Sequence, residues 1–442
     1  MLYRNLLASV AALTFVAGAG APARAADVSI EYQGDFDALI TPAVAAFEKE
    51  TGKTVDAIKL PGADAYSPRI ALDLSSGTAA DVVMADSYVV AQFAGSGYLA
   101  PLDDILAKWD QGQYFYKGAL AVASYNGHVY ALPTATDVRM LWYNKADFAK
   151  AGLPVPWQPK TWDDVIAAGK ALNTAGVQDA FLLEAGTKWG EGTTMQGFYM
   201  TLLGADTPQG DRNRLRDRAS GKWIGDSPAI RSTLKFYQDV YVNDKISTKA
   251  INYVADVFND TNAAFLDGKI GIYASGNWAN VCLWGCSNDQ QPSQEEKDKL
   301  VGWTPWPGSG AAGAQATTDI SGGWTVALNA KAANNPDAIK LLETIMDVKN
   351  LGDWTIKTKN LTVRSDIAAL PDYKSDPFMA QITPLVADTT GRDTVPGYDK
   401  VSALVQDMTT GILDGKSVDE VVKTYHDALV DEFGADNVIT LQ

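Results

Sequence analysis

Histidine and cysteine are almost missing from this chain of 442 residues, which has two of each. His128 and His426 lie far from each other and from both cysteines, so no zinc-type ligand spacing exists. No Gly-x-Ser-x-Gly, His-Glu-x-x-His or phosphate-loop pattern occurs, which removes the common sequence signs of a hydrolase or a nucleotide enzyme. Positive charge is also short. Lys and Arg number 37 against 53 Asp and Glu, a net charge of −16. Such a balance excludes a nucleic-acid partner, whose phosphates need a basic surface. There is no internal repeat and no low-complexity tract. Beyond residue 25 no run is long and apolar enough to span a membrane as a helix.

The one conspicuous apolar run is at the start. Arg4 is followed by the apolar and small-residue run Leu6 to Ala19, and Ala23-Arg24-Ala25 has the small–x–small pattern of a cleavage site. Residues 1–25 therefore read as a secretory signal peptide, cleaved near Ala25, which places the mature chain in the periplasm. A retained anchor helix is the rival reading, disfavoured by the short run and the polar residues after it. Losing Arg4 and Arg24 takes the mature chain to −18. What remains exceeds a single core, so two lobes are expected. In an exported chain, Cys282 and Cys286 in Cys-Leu-Trp-Gly-Cys point to a disulfide. So short a loop gives little entropic stabilisation, leaving a local bracing role. Twelve Trp and eighteen Tyr are the informative excess, because flat rings stack on the C–H faces of sugars. Most of these rings are expected in the core.

Along the chain, strands are expected at Val28–Tyr32, Thr54–Leu60, Asp81–Ala85, Val129–Pro133, Met140–Tyr143, Ala180–Leu183, Ile270–Tyr273 and Trp324–Leu328. Helices are expected at Asp37–Thr51, Tyr66–Ser76, Val89–Gly95, Met195–Leu203, Ile230–Val242, Asp256–Leu266, Pro336–Val348, Tyr398–Ile412 and Val418–Phe433, with helix starts at Asn144 and Thr161. The stretch Asn288–Ser321 reads as loop-rich. Strand–helix alternation defines an α/β fold and implies a parallel sheet with helices on both faces.

Six segments, in this order and spacing, resemble the family-one extracellular solute-binding proteins of ABC-type sugar importers, the maltose-binding type included. They are Phe47-Glu-Lys-Glu-Thr-Gly-Lys-Thr-Val55, Ser75–Ala85, Ala131–Lys145, Phe265–Trp278, Ser321-Gly-Gly-Trp-Thr-Val-Ala327, and Gly411–Gly415 with Val418–Val421. The resemblance covers nearly the whole mature chain. It implies a two-lobed, type II-like periplasmic binding-protein fold joined by crossing strands, with residues 26–135 plus 300–350 in the first lobe and 136–299 plus 351–442 in the second. It implies a monomer that closes on a carbohydrate without cofactor or metal and presents it to the membrane subunits of a permease.

A sugar site needs carboxylates and amides for hydroxyls, a guanidinium fork and aromatic plates. These belong on loops at the carboxyl ends of strands. Asp35 and Asp86 follow strands, against a helix-cap or loop role. Asp137 and Arg139, two apart on a strand, share a face, with an interlobe ion pair as the alternative. Glu184 and Trp189 resemble a wall of the second lobe. Asn277 and Trp278 close a strand-end loop, and Trp278 is the best stacking candidate, against a core position. Gly323, beside Trp324, lets the backbone approach a ligand closely. The resemblance adds Arg364, with a structural salt bridge as the alternative, and Tyr398 at a helix start.

The reading is a carbohydrate receptor working by hinge closure, with a disaccharide such as an α-glucoside favoured. The same fold binding a polyamine, a metal or a peptide is the main rival. A glycoside-acting enzyme, which needs two carboxylates with split pKa values, is a more distant one.

Overall fold

A computed structural model describes residues 26–61, 66–205, 213–286, 288 and 290–442. The expected signal peptide lies outside the described residues. Among those described, no helix is long and apolar enough to cross a membrane.

Two five-stranded sheets organise the chain. In the first, the strands run in the order Val55–Leu60, Val28–Gln33, Val82–Asp86, Trp324–Leu328, Ala131–Pro133. The first three are parallel, as alternation with helices requires. Trp324–Leu328 runs antiparallel to both of its neighbours because it returns from the other lobe. In the second sheet the order is Thr317–Thr318, Val301–Pro307, Arg139–Asn144, Ile270–Gly276, Asp179–Leu182. Only its last pair is parallel. The parallel expectation thus holds for part of each sheet.

Helix ends follow capping chemistry. Asn144 accepts from the backbone N–H groups of Ala146 and Asp147, and Thr161 with Asp164 forms a reciprocal capping box. Helix Asp37–Thr51 buries Leu39, Ile40, Ala43 and Phe47 and stops at Gly52, whose φ is +67°. The central strand Arg139–Asn144 is buried throughout. Its alternate residues serve different cores: Met140 and Trp142 join the core that extends under the first sheet, and Leu141 and Tyr143 join the second. That is why Met140-Leu-Trp-Tyr143 is apolar at every position.

Two boundaries need correction. The stretch 288–321 is not all loop. A capping box of Ser293 and Glu296 starts the helix Gln294–Leu300, and Val301–Pro307 is a strand of the second sheet. Residues 301–307, expected in the first lobe, therefore belong to the second. Gly302 resembles a loop signal but serves packing, since a Cβ there would lie 2.3 Å from the cross-strand Tyr143 ring. Conversely, helix Val348–Thr358, mostly expected in the second lobe, packs on Asp37–Thr51, and its Trp354 stacks on Phe36 at 5.5 Å.

Crossing segments join the lobes. Thr134 N–H bonds the Trp324 carbonyl at 2.9 Å, and the Thr136 and Ser321 hydroxyls meet at 2.6 Å. Ile320–Ser321 pairs with Thr390–Gly391, which brings a third crossing alongside. Thr161→Ala removes the box that starts helix Trp162–Thr174. We predict a loss of about 1 kcal/mol in urea unfolding, with an unchanged m-value as the control for two-state behaviour.

Candidate functional site

The crossing segments form the floor of a cavity of ≈ 690 Å³ between the lobes. Nine of the twelve expected ligand residues line it: Asp35, Asp86, Asp137, Arg139, Glu184, Trp189, Trp278, Gly323 and Trp324.

All but Trp189, which lies in the turn before residues 193–199, sit close to a strand end or a lobe crossing. Asp35 lies in the turn after Val28–Gln33 and accepts from Gln33 Nε2 at 2.9 Å. Asp86 closes strand Val82–Asp86. Trp278 follows Ile270–Gly276, and the Arg139 guanidinium lies over its ring at 5.4 Å. Trp324 opens its strand and meets Phe36 and Tyr66 at ring distances of 5.6 and 5.2 Å. Trp189 donates its indole N–H to Asn252 Oδ1 at 2.9 Å. Gly323 has φ +130°, and a Cβ would come within 2.6 Å of the Ala135 carbonyl oxygen, so the close approach of two crossings fixes glycine here.

Asp137 and Arg139 are an ion pair and cavity lining at once. Arg139 binds Asp137, the Ile320 carbonyl and Gln196 Oε1, the last at 3.0 Å. Its backbone N–H bonds Asp319 at 2.8 Å, and Asp137 accepts the Gly322 N–H at 3.0 Å. Cys282 and Cys286 are bonded as a disulfide and contribute to the cavity wall.

Three expected residues do not line the cavity. Asn277 is fully buried and holds crossings together, accepting from Val138 N–H at 3.1 Å and donating to the Lys359 carbonyl at 2.9 Å. Arg364 has no exposed surface. It pairs with Asp366 and Gln111 and lies over Trp109 and Phe115, so its structural alternative is the one realised. Tyr398 stands one layer back, donating its hydroxyl to Glu191 Oε1 at 2.8 Å.

Arg392 is the main residue that sequence reading missed, together with Glu191, Tyr88 and Trp354. Its guanidinium binds Asp86 and, at 2.9 Å each, Ser87 Oγ and Glu191 Oε1, and it lies 4.9 Å over the Tyr88 ring. Those acids are 306 and 201 residues away, a separation that leaves no local pattern.

Burial dominates the titration of the cavity acids. It pushes Asp35, Asp86 and Glu191 upward, and Arg392 partly offsets this for the last two. Glu184 is raised to about 8 by burial, which the Arg139 charge opposes, and its Oε2 has no hydrogen-bond partner. The cavity thus combines indole plates, buried acids and two guanidinium groups already engaged. This is the equipment of a receptor for a small polar molecule.

The chain belongs to the bacterial extracellular solute-binding protein family, whose model matches residues 31–350. A putative binding protein of Brucella abortus is 24% identical over 95% of both chains. A probable amino-acid ABC transporter periplasmic-binding protein of Sinorhizobium fredii is 27% identical over 77% of this chain and 76% of its own. Among solved structures, a solute-binding protein from Thermotoga lettingae bound with α-D-tagatose superposes with a TM-score of 0.78 at 23% identity, covering 91% of this chain and 98% of the other. Maltose-bound MalE3 of T. maritima gives 0.76 at 21%, covering 92% and 99%. These likenesses establish the two-lobed fold.

Glu184 generates a pH prediction. Its folded pKa, about 8, lies above its ordinary 4.5, so between those values the folded state holds a proton that the unfolded state has lost. The contribution to stability is full below 4.5 and is lost as pH rises to about 8. Glu184→Gln should remove that downward slope from urea-unfolding free energies measured across the window. An unchanged slope would refute the assignment.

Proposed function

We propose that the chain is the periplasmic receptor subunit of an ABC-type importer and captures a carbohydrate between its lobes. The observation that carries this reading is the density of indole rings, Trp189, Trp278, Trp324 and Trp354, in one cavity with buried carboxyl groups and amides. Rings of this kind stack on sugar C–H faces, and carboxyl and amide groups serve hydroxyls as donors and acceptors. The tagatose and maltose in the two structural relatives support the same reading. A disaccharide such as an α-glucoside suits several plates spread over ≈ 690 Å³. On this reading Trp278 and Trp324 stack on the sugar, and Asp35, Glu184 and Gln33 receive its hydroxyls.

Capture is by hinge closure. A ligand that bridges both lobes binds the closed form better than the open one, and that difference shifts the population. The closed form is then presented to the permease, and the ligand leaves chemically unchanged. Residues 1–25 act as the export signal, and the mature receptor is a monomer.

The test is a thermal-shift screen of the mature protein against disaccharides, monosaccharides, polyols, amino acids and polyamines. A sugar at a hundred times its Kd stabilises by about 2.7 kcal/mol. Trp278→Ala is expected to weaken that sugar by roughly tenfold, the worth of about one stacked ring. A shift from an amino acid or a polyamine with silence from every sugar would sink the carbohydrate assignment and leave the receptor fold standing.

A further inference from the structure

Six acidic side chains line the cavity against three basic ones. Burial holds Glu184 neutral, the other five still outnumber the bases, and the bases decide which charges the cavity can receive. Lys400 is exposed. Arg139 is occupied by Asp137, the Ile320 carbonyl and Gln196. Arg392 is held between two acids that come from different lobes. Asp86 ends a strand of the first sheet, and Glu191 lies on the second lobe, where Tyr398 and Ser402 bind its carboxylate. The backbone beside Arg392 is anchored on the second lobe as well. Arg214 and Arg218 donate to the Gly391 carbonyl at 3.3 and 3.1 Å, and Asp393 accepts from Tyr199 at 3.0 Å. The guanidinium is therefore fixed in place and matched by more negative charge than it carries.

We propose that Asp86, Arg392 and Glu191 form a specificity-determining triad that closes this cleft to anionic solutes and reserves it for uncharged ones. A phosphate or carboxylate entering the cleft finds both guanidinium groups engaged and faces the excess acids, and like charges brought together in a site of low polarity repel strongly. Arginine in a cleft ordinarily recommends itself as an anion fork. Here the two acids convert it into part of the wall. Neutralising the two acids frees the Nη donors that now bind Asp86 and Glu191. The proposal rests on the cleft being the solute site, as argued above, and it names the class of ligand that the site rejects.

The probe is inorganic phosphate, followed by calorimetry and thermal shift at constant ionic strength. The wild type is expected to give no saturable signal. The double variant Asp86→Asn/Glu191→Gln is expected to bind phosphate at least about tenfold more tightly than wild type, and adding Arg392→Gln should abolish the gain. Near-UV circular dichroism identifies folded variants. If the double variant does not fold, Glu191→Gln alone is read by the same criteria, its amide keeping the shape that Tyr398 and Ser402 contact. Saturable phosphate binding by the wild type that Arg392→Gln removes, or a folded variant that gains none, overturns the proposal. Neither result depends on a sugar, so failure here is separate from failure of the carbohydrate screen.

Discussion

The pairing of Arg139 with Asp137 at the lobe crossing is the interaction on which the cleft depends. Arg139 opens a strand buried on both faces, so its backbone is fixed by two cores at once. Its guanidinium reaches the Ile320 carbonyl, and Asp137 reaches the Gly322 N–H, so one ion pair holds two crossings together. The same group lies over Trp278 and binds Gln196 of the second lobe. Removing either charge leaves the other buried without compensation, a change that typically costs ~3–5 kcal/mol. The cavity floor is therefore set by the lobe crossing itself.

The walls are fixed in a comparable way. Trp324 is wedged by Phe36 and Tyr66, Trp354 stacks on Phe36, and Trp189 is tied through its N–H to Asn252. Each ring spends its own contacts on neighbours within the protein and offers its remaining surface to the cavity. Rings ordered in this way lose little freedom when a ligand packs against them, which is the advantage of preorganisation.

Much of this was legible in the sequence because it was local. Apolar runs such as Val82–Met84 and capping residues such as Asn144 and Thr161 mark their elements within a few positions. Asp35, Asp86 and Trp278 follow strand ends, where an α/β fold places its ligand groups. Legibility ended where meaning came from distant partners. Gly302 and the prolines of Val301–Pro307 look like loop residues until their strand partners are placed, with Tyr143 across from Gly302, Met140 across from Pro305 and Thr317 across from Pro307. Arg364 and Arg392 are alike on paper. One is enclosed by Asp366, Gln111 and two aromatic rings, and the other spans the lobes to acids 201 and 306 residues away. Family likeness singled out the first, and no pattern pointed to the second.

On the proposed mechanism of hinge closure, the buried acids make closure depend on what is captured. Glu184 Oε2 and Gln33 Oε1 lack partners, and burial pushes the Glu184 and Asp35 carboxyls toward their neutral forms. An unsatisfied buried polar group costs about 1–3 kcal/mol, so a solute that pairs with these groups is favoured over one that leaves them unpaired. A sugar hydroxyl donates and accepts, and it can satisfy a neutral carboxyl or an amide without bringing a charge. An anion meets repulsion from the acids around Arg392, and an apolar molecule leaves the orphans unpaired. On that proposal, differential affinity for the closed form follows from hydrogen-bond matching, with the aromatic plates supplying area and the polar orphans supplying the selection.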